Sequence, residues 1–144
     1  MTLEGVRFDL YHWMNAHTSG DIVVSLPAEK IVFTGDIIDR PTFDPRIHQE
    51  KDGNTIGWIV TARGMLEIDA TQYVAGHGPV HTKAEIAERL ASAEKKREQI
   101  KAMVEQGKTL DQIKVALSDP PSQGRVPYPS YTEVVYSELT MKMK

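Results

Sequence analysis

The sequence predicts an α/β fold, a small mixed β-sheet with helices on one face. Three observations carry that reading. Residues 1–81 are rich in β-branched residues, Gly and Pro, and they hold all five histidines. Residues 82–144 carry three helix-start signals of the capping-box type. Apolar residues alternate with polar ones in the first part and recur in three- and four-residue steps in the second. The chain therefore reads as one domain with a strand-rich part, 1–81, and a helical part, 82–144, in keeping with its 144 residues.

The elements follow in order. Val6-Arg7-Phe8-Asp9-Leu10-Tyr11-His12 alternates as a half-buried strand does. A second strand over 22–26 and a third over 31–34 flank the turn Pro27-Ala28-Glu29-Lys30 and form a hairpin. The third strand runs into Gly35-Asp36. Residues 39–54 have no period and are broken by Pro41, Pro45 and Gly53. They read as a long loop, of the kind that in compact domains often carries function. Residues 56–68 space Ile56, Ile59, Val60, Met65 and Leu66 as a helix does, although Gly57 and Gly64 weaken it. A short strand over 73–75 ends at Gly76-His77-Gly78-Pro79.

Thr82-Lys83-Ala84-Glu85 then opens a helix with Ile86, Leu90, Ala93, Ile100 and Val104 on one stripe, Arg97 its one charge and Gly107 its stop. Thr109-Leu110-Asp111-Gln112 opens a short helix carrying Ile113 and Leu117. The run from Asp119 through Pro120 and Pro121 to Gly124 is an extended linker. Ser130-Tyr131-Thr132-Glu133 starts a final helix with Val135 and Leu139, and Met141-Lys142-Met143-Lys144 is a frayed tail.

Composition excludes several function classes. With 40% hydrophobic and 26% charged residues the chain is expected to form a packed core without staples. It has no cysteine, which excludes disulfides, thiolate zinc sites and a cysteine nucleophile, and suits a reducing cytoplasm. Seventeen Lys+Arg against twenty Asp+Glu leave no electrostatic footprint for nucleic acid. Apolar runs such as Ile22-Val23-Val24 are too short for a bilayer, and the start Met1-Thr2-Leu3-Glu4-Gly5 does not read as a signal peptide. The expectation is a cytoplasmic protein with no nucleic acid and no membrane among its partners.

Three residues are candidates for chemistry. His17 lies in the turn His17-Thr18-Ser19-Gly20-Asp21, Asp36 ends the third strand inside Thr34-Gly35-Asp36, and His77 follows the short strand. Each is a metal-capable side chain at a strand end beside a glycine, where polar groups face a crevice more often than a core. Imidazole nitrogen and carboxylate oxygen suit zinc, iron or manganese. Taken singly, a strand-end Asp is usually a turn residue and a loop His is usually solvated. His12, His48 and His81 receive that ordinary reading. His81 is four residues from His77, but Gly78-Pro79 argues against a helical pair. The charged residues from Lys83 to Lys101 read as a solvated helix face.

In order and spacing, the motifs His17-Thr18-Ser19-Gly20, Thr34-Gly35-Asp36, Gly57-Trp58-Ile59 and Gly76-His77-Gly78-Pro79 resemble the second half of the metallo-β-lactamase superfamily domain. The resemblance covers about residues 3–82. The closing segment from Tyr131 to Leu139 is similar to the tail of certain hydrolase-like members. It implies the C-terminal half of the four-layer αββα sandwich and a metal-dependent hydrolase. His17 would serve one metal, His77 the other, and Asp36 would bridge them.

The family's first half carries His-x-His-x-Asp-His. No His-x-His occurs here, and sixteen residues before His17 are too few for that half. Each metal would then keep two protein ligands, counting the bridge, where a catalytic zinc usually has three. Occupancy by zinc, iron or manganese is expected to be weak or partial, with His12 or His48 the residues to complete the shell were binding tight.

Three readings stay open. The chain is a hydrolase-like protein active only when dimerisation or a separately encoded N-terminal half completes its site, a non-catalytic assembly or metal-binding module, or a stable gene fragment. The same absence strips a sheet face bearing Val6, Phe8, Leu10, Ile22, Val24, Ile31 and Phe33 of its cover. The expected repair is a homodimer through that face.

Overall fold

Short extended segments at the start of the chain pair locally before the main sheet begins. In the computed structural model, which describes residues 1–39, 44–119 and 128–141, β1 (Thr2–Leu3) and β2 (Val6–Arg7) form a small antiparallel hairpin. Its turn uses Glu4 and Gly5, both at positive φ. Phe8 closes this hairpin through its backbone bonds to Met1, at 2.8 and 2.7 Å. The strand expected over 6–12 is thus split: β3 (Asp9–Tyr11) joins a different sheet.

That sheet has five strands in the order β3-β4-β5-β6-β7, adding β4 (Val23–Leu26), β5 (Ile31–Asp39), β6 (Gln72–His77) and β7 (Val80–His81). All neighbours are antiparallel except β5 and β6. A parallel pair needs a crossover, and α1 (Thr55–Glu67) supplies it. β5 runs well past the expected end at Thr34, and β6 is twice the expected length. Asp36 therefore lies within a strand and not at its end. The pairing is irregular there: Phe33 opposes Val74, Gly35 opposes Ala75, and the next partners are Asp39 and His77. β5 carries extra residues between these partners, and such a bulge re-aims side chains.

Side-chain caps set the helix boundaries. The Asn54 side chain accepts the Gly57 N–H at 2.7 Å and starts α1. Gly57, read from sequence as a weakness, is where the helix backbone packs directly on the carbonyl of Asn15, and a Cβ would collide with it. α2 (Lys83–Glu105) and α3 (Leu110–Ala116) open with complete capping boxes at Thr82 and Thr109, as expected. Ser130 and Glu133 exchange the same pair of bonds at the start of α4 (Tyr131–Met141). Most of the expected linker, from residue 120 to Gly124, lies outside the described residues, as do 142–144 of the expected tail and 40–43 of the expected loop.

The register sorts the five strands into two rows. Asp9, Ser25, Val32, Tyr73 and His81 stand opposite one another across the sheet. Ser25, Val32, Tyr73 and His81 of this row are buried, and the same core holds Trp58, Met65, Ile86, Ile100 and Val135 from the helices. Leu10, Val24, Phe33, Val74 and Val80 form the alternate row on the opposite face. There Leu10 and Val80 are each 53% exposed and Phe33 39%.

The expected solvated face of α2 is partly wrong. Arg89 is buried, Lys96 reaches Asp44 and Asp119 at 2.6 Å each, and Arg97 donates to Thr55 Oγ1 at 3.1 Å. α2 is covered on a second side by α4. Long side chains can line such a contact with their stems while their charged ends find partners. Among the described residues no helix is long and apolar enough to cross a membrane.

Candidate metal centre

The segment between β3 and β4 carries His17 into a buried position, 6% exposed. It is held there by backbone pairing with the end of the long loop: His48 N–H to His17 O at 2.9 Å, Ser19 N–H to Lys51 O at 2.9 Å and Asn54 N–H to Ala16 O at 3.1 Å. The turn closes on itself, because Thr18 donates from its N–H and hydroxyl to the two oxygens of Asp21, at 2.9 and 2.8 Å. Thr18 and Asp21 thus account for two residues of the His17–Asp21 motif as scaffold.

His17 Nδ1 lies 2.8 Å from the Arg46 carbonyl oxygen. A carbonyl only accepts, so Nδ1 carries the proton and the neutral ring keeps its lone pair on Nε2. That Nε2 stands 3.9 Å from Asp36 Oδ2, and His77 Nε2 stands 3.6 Å from Asp36 Oδ1. The structure therefore brings His17, Asp36 and His77 together, with one imidazole at each oxygen of a single carboxylate. Asp36 reaches this position through the β5 bulge. Trp58 braces the bulge by donating its indole N–H to Ile37 O at 2.7 Å, fully buried. Gly76 lies against the Asp36 carboxylate, where a side chain would displace it.

The donor set fits a metal in kind. Both separations exceed hydrogen-bond range, so no direct contact uses up the donors. Donors on one tetrahedral zinc, with bonds of about 2.0–2.2 Å, stand roughly 3.3–3.6 Å apart; the His77–Asp36 pair at 3.6 Å is at the edge of that range and the His17–Asp36 pair at 3.9 Å a little beyond it. A lone pair facing a carboxylate also favours a cation between them. The set is short in number: among the described residues no group of three or more His, Cys, Asp or Glu forms a metal-holding cluster.

Around the centre lies an open pocket of about 490 Å³, whose lining includes His17, Asp36, His48, Lys51 and Tyr128. His77 stands on the far side of Asp36 and is exposed. Of the surrounding groups, His48 was the expected reserve ligand, while Arg46 and Tyr128 escaped the sequence reading. His48 packs its ring edge-on against His17, with centroids 4.8 Å apart, and Tyr128 packs edge-on against His48 at 4.6 Å. Arg46 lies over the Tyr128 ring and pairs with buried Asp39 at 2.9 Å. The absence of period over 39–54 was the available signal for His48 and Arg46; nothing local marks Tyr128. His81 also departs from its ordinary reading, being buried on β7 with Nε2 unpartnered among the described residues. Burial, then the positive charge of Arg89, hold it below the usual histidine range.

The chain has the fold of part of the metallo-β-lactamase domain. The metallo-β-lactamase from Pontibacter korlensis superposes with a TM-score of 0.56 at 22% identity, over 65% of this chain and 44% of its own. FIM-1 from Pseudomonas aeruginosa, a metallo-β-lactamase solved in a mono-zinc form, gives 0.52 at 24% identity, over 61% and 39%. The inverting sec-alkylsulfatase Pisa1 from Pseudomonas sp. gives 0.72 at 17% identity, over 96% of this chain and 25% of its own. The chain thus spans less than half the length of these lactamases and a quarter of the sulfatase. No family model and no curated protein matches it.

Proposed function

We propose that this chain is a metallo-hydrolase-like protein carrying half of a two-metal centre. The observation that carries this is the placing of His17 Nε2 and His77 Nε2 at opposite oxygens of Asp36. In this reading His17 and Asp36 hold one zinc, and His77 and Asp36 the other, with iron and manganese as alternatives of the same donor chemistry. When bound, such a pair supplies Lewis-acid polarisation and an activated water near neutral pH. The chain's own residues do the positioning. Arg46 O fixes the His17 ring, Trp58 and Gly76 fix Asp36, and Lys51, His48 and Tyr128 wall the approach. Turnover would need the remaining ligands and a proton-handling group from outside this donor set, through dimerisation or a separately encoded N-terminal half. A cysteine-free chain of this kind suits the cytoplasm.

A second reading is favoured by the short donor count: a non-catalytic metal-binding or assembly module, or a stable gene fragment, that keeps the fold without the chemistry. Metal content separates the readings. Protein stripped with chelator and dialysed against micromolar zinc should retain well under two ions per chain, and His17→Ala or Asp36→Asn should lower that further. Full, chelator-resistant occupancy would overturn the half-site. Hydrolysis of ester, thioester, lactam or alkyl sulfate by the isolated chain, lost in Asp36→Asn, would show that it needs no completion.

A further inference from the structure

We propose that Asp39 is a positioning residue of the metal centre: through Arg46 it fixes the carbonyl that holds the His17 ring with Nε2 toward Asp36. The inference rests on reading His17 as a metal ligand. Asp39 is the last residue of β5, is 7% exposed, and stands opposite His77 in the β5–β6 register. Arg89 Nη1 donates to its backbone oxygen at 3.3 Å. The Asp39 carboxylate meets Arg46 Nη1 at 2.9 Å through Oδ2, while Oδ1 is buried with no hydrogen-bond partner among the described residues. A buried carboxylate is costly to leave unpaired, so the pair with Arg46 stays closed.

Arg46 is held at its guanidinium and used at its carbonyl. Its backbone oxygen accepts the His17 Nδ1 proton at 2.8 Å, which leaves the ring lone pair on Nε2. Buried Ile47 and the bond from His48 N–H to His17 O fix the chain just after Arg46, and the ion pair fixes it at Arg46 itself. Tyr128 closes a circuit around the ligand. Arg46 lies over its ring at 4.9 Å, the ring packs on His48 at 4.6 Å, and His48 packs on His17 at 4.8 Å. A displaced guanidinium would loosen both arms of this circuit. Asp39 thus links the two histidines of the centre, His77 through strand pairing and His17 through Arg46. Groups that orient a ligating histidine change metal affinity by about 10–100-fold when removed.

In the metal-free full chain, 1H–15N correlation spectra of the histidine rings at about pH 8, above the histidine range, read each tautomer. His17 should be a single species protonated on Nδ1. Arg46→Ala combined with Asp39→Asn removes both charges of the pair and should bring in a second His17 species protonated on Nε2. Asp39→Asn alone, the milder change, should do so to a lesser degree. Arg46→Lys, which can still pair with Asp39, should keep the wild-type spectrum. His12 faces a different carbonyl, Asp21 O at 2.9 Å, and should be unchanged throughout. Zinc affinity, measured by competition with a chromophoric chelator, should fall about 10–100-fold in the double variant. A His17 spectrum unchanged in either Asp39→Asn or the folded double variant would overturn the inference. Lack of zinc uptake by the wild type would overturn the half-centre alone, because the tautomer is read without metal.

Discussion

The two faces of one sheet reverse the usual arrangement. The row turned toward the helices contains Asp9, Ser25 and His81 beside Val32 and Tyr73, whereas the row turned away is wholly apolar. Burial follows the helices and not the hydrophobicity: Ser25 is 1% exposed and Leu10 53%. The helix-backed face therefore supplies the core of the chain, while the outer face leaves Leu10, Phe33 and Val80 exposed. The candidate metal centre sits where β5 bulges between these two regimes.

The strongest test of this contrast is a charge on each face. Val32→Asp, at a fully buried position, should abolish folding, since an unpaired buried carboxylate costs more than the ~5–15 kcal/mol of a domain's stability allows once packing is also lost. Far-UV circular dichroism checks it. Phe33→Ser, one residue away on the other face, should leave a folded chain, because Phe33 is 39% exposed. Loss of folding in Phe33→Ser as well would erase the difference between the faces.

Trp58→Phe keeps an aromatic ring but removes the pyrrole part of the indole, with the N–H that satisfies Ile37 O. An orphaned buried carbonyl costs about 1–3 kcal/mol, read as a lower urea midpoint at unchanged slope. Because the bulge places Asp36, zinc retention should fall with it. Gly57→Ala tests the crossover helix by sign. Helix propensity alone would stabilise by about 1 kcal/mol, but the Asn15 carbonyl occupies the space, so the variant should be less stable than wild type in the same urea titration.

The smallest effect concerns pH. His81 is held below its ordinary range by burial and then by Arg89, against the opposing pull of Glu85. In the unfolded chain it titrates near ~6.5. As pH falls through that value the unfolded state takes up a proton that the folded state still refuses. Stability is therefore full above about pH 6.5 and declines below it, toward the folded value. His81→Gln should flatten this part of the stability profile.

Local signals were legible because they are local. The capping boxes at Thr82, Thr109 and Ser130, the helical period over 56–68 and the turn at 27–30 each lie within a few residues and appear where expected. The strand-end glycines pointed to His17, Asp36 and His77, and the structure places them around one carboxylate. Alternation likewise grouped Leu10, Ile22, Val24, Ile31 and Phe33 on one face, but Val6 and Phe8, grouped with them, belong to the separate first hairpin. The split at Phe8 was not legible, because the Met1–Phe8 pairing competes with a continuous strand only once the chain folds back.

What the sequence by itself determined is the helices with their caps, the β4–β5 hairpin and which of their side chains share a face, since the periods of helix and strand are properties of the backbone. Tertiary structure alone decided which face the helices cover. The β5-α1-β6 crossover delivers α1 to one side of the sheet, and that side then becomes the core whatever its composition. It also decided the bulge that turns Asp36 toward two histidines, which depends on the irregular β5–β6 register and on an indole twenty-one residues away. The company of His17 was settled in the same way: Arg46 and His48 meet it, and Tyr128 meets His48, through contacts that span 29 residues or more, a range at which no sequence period operates.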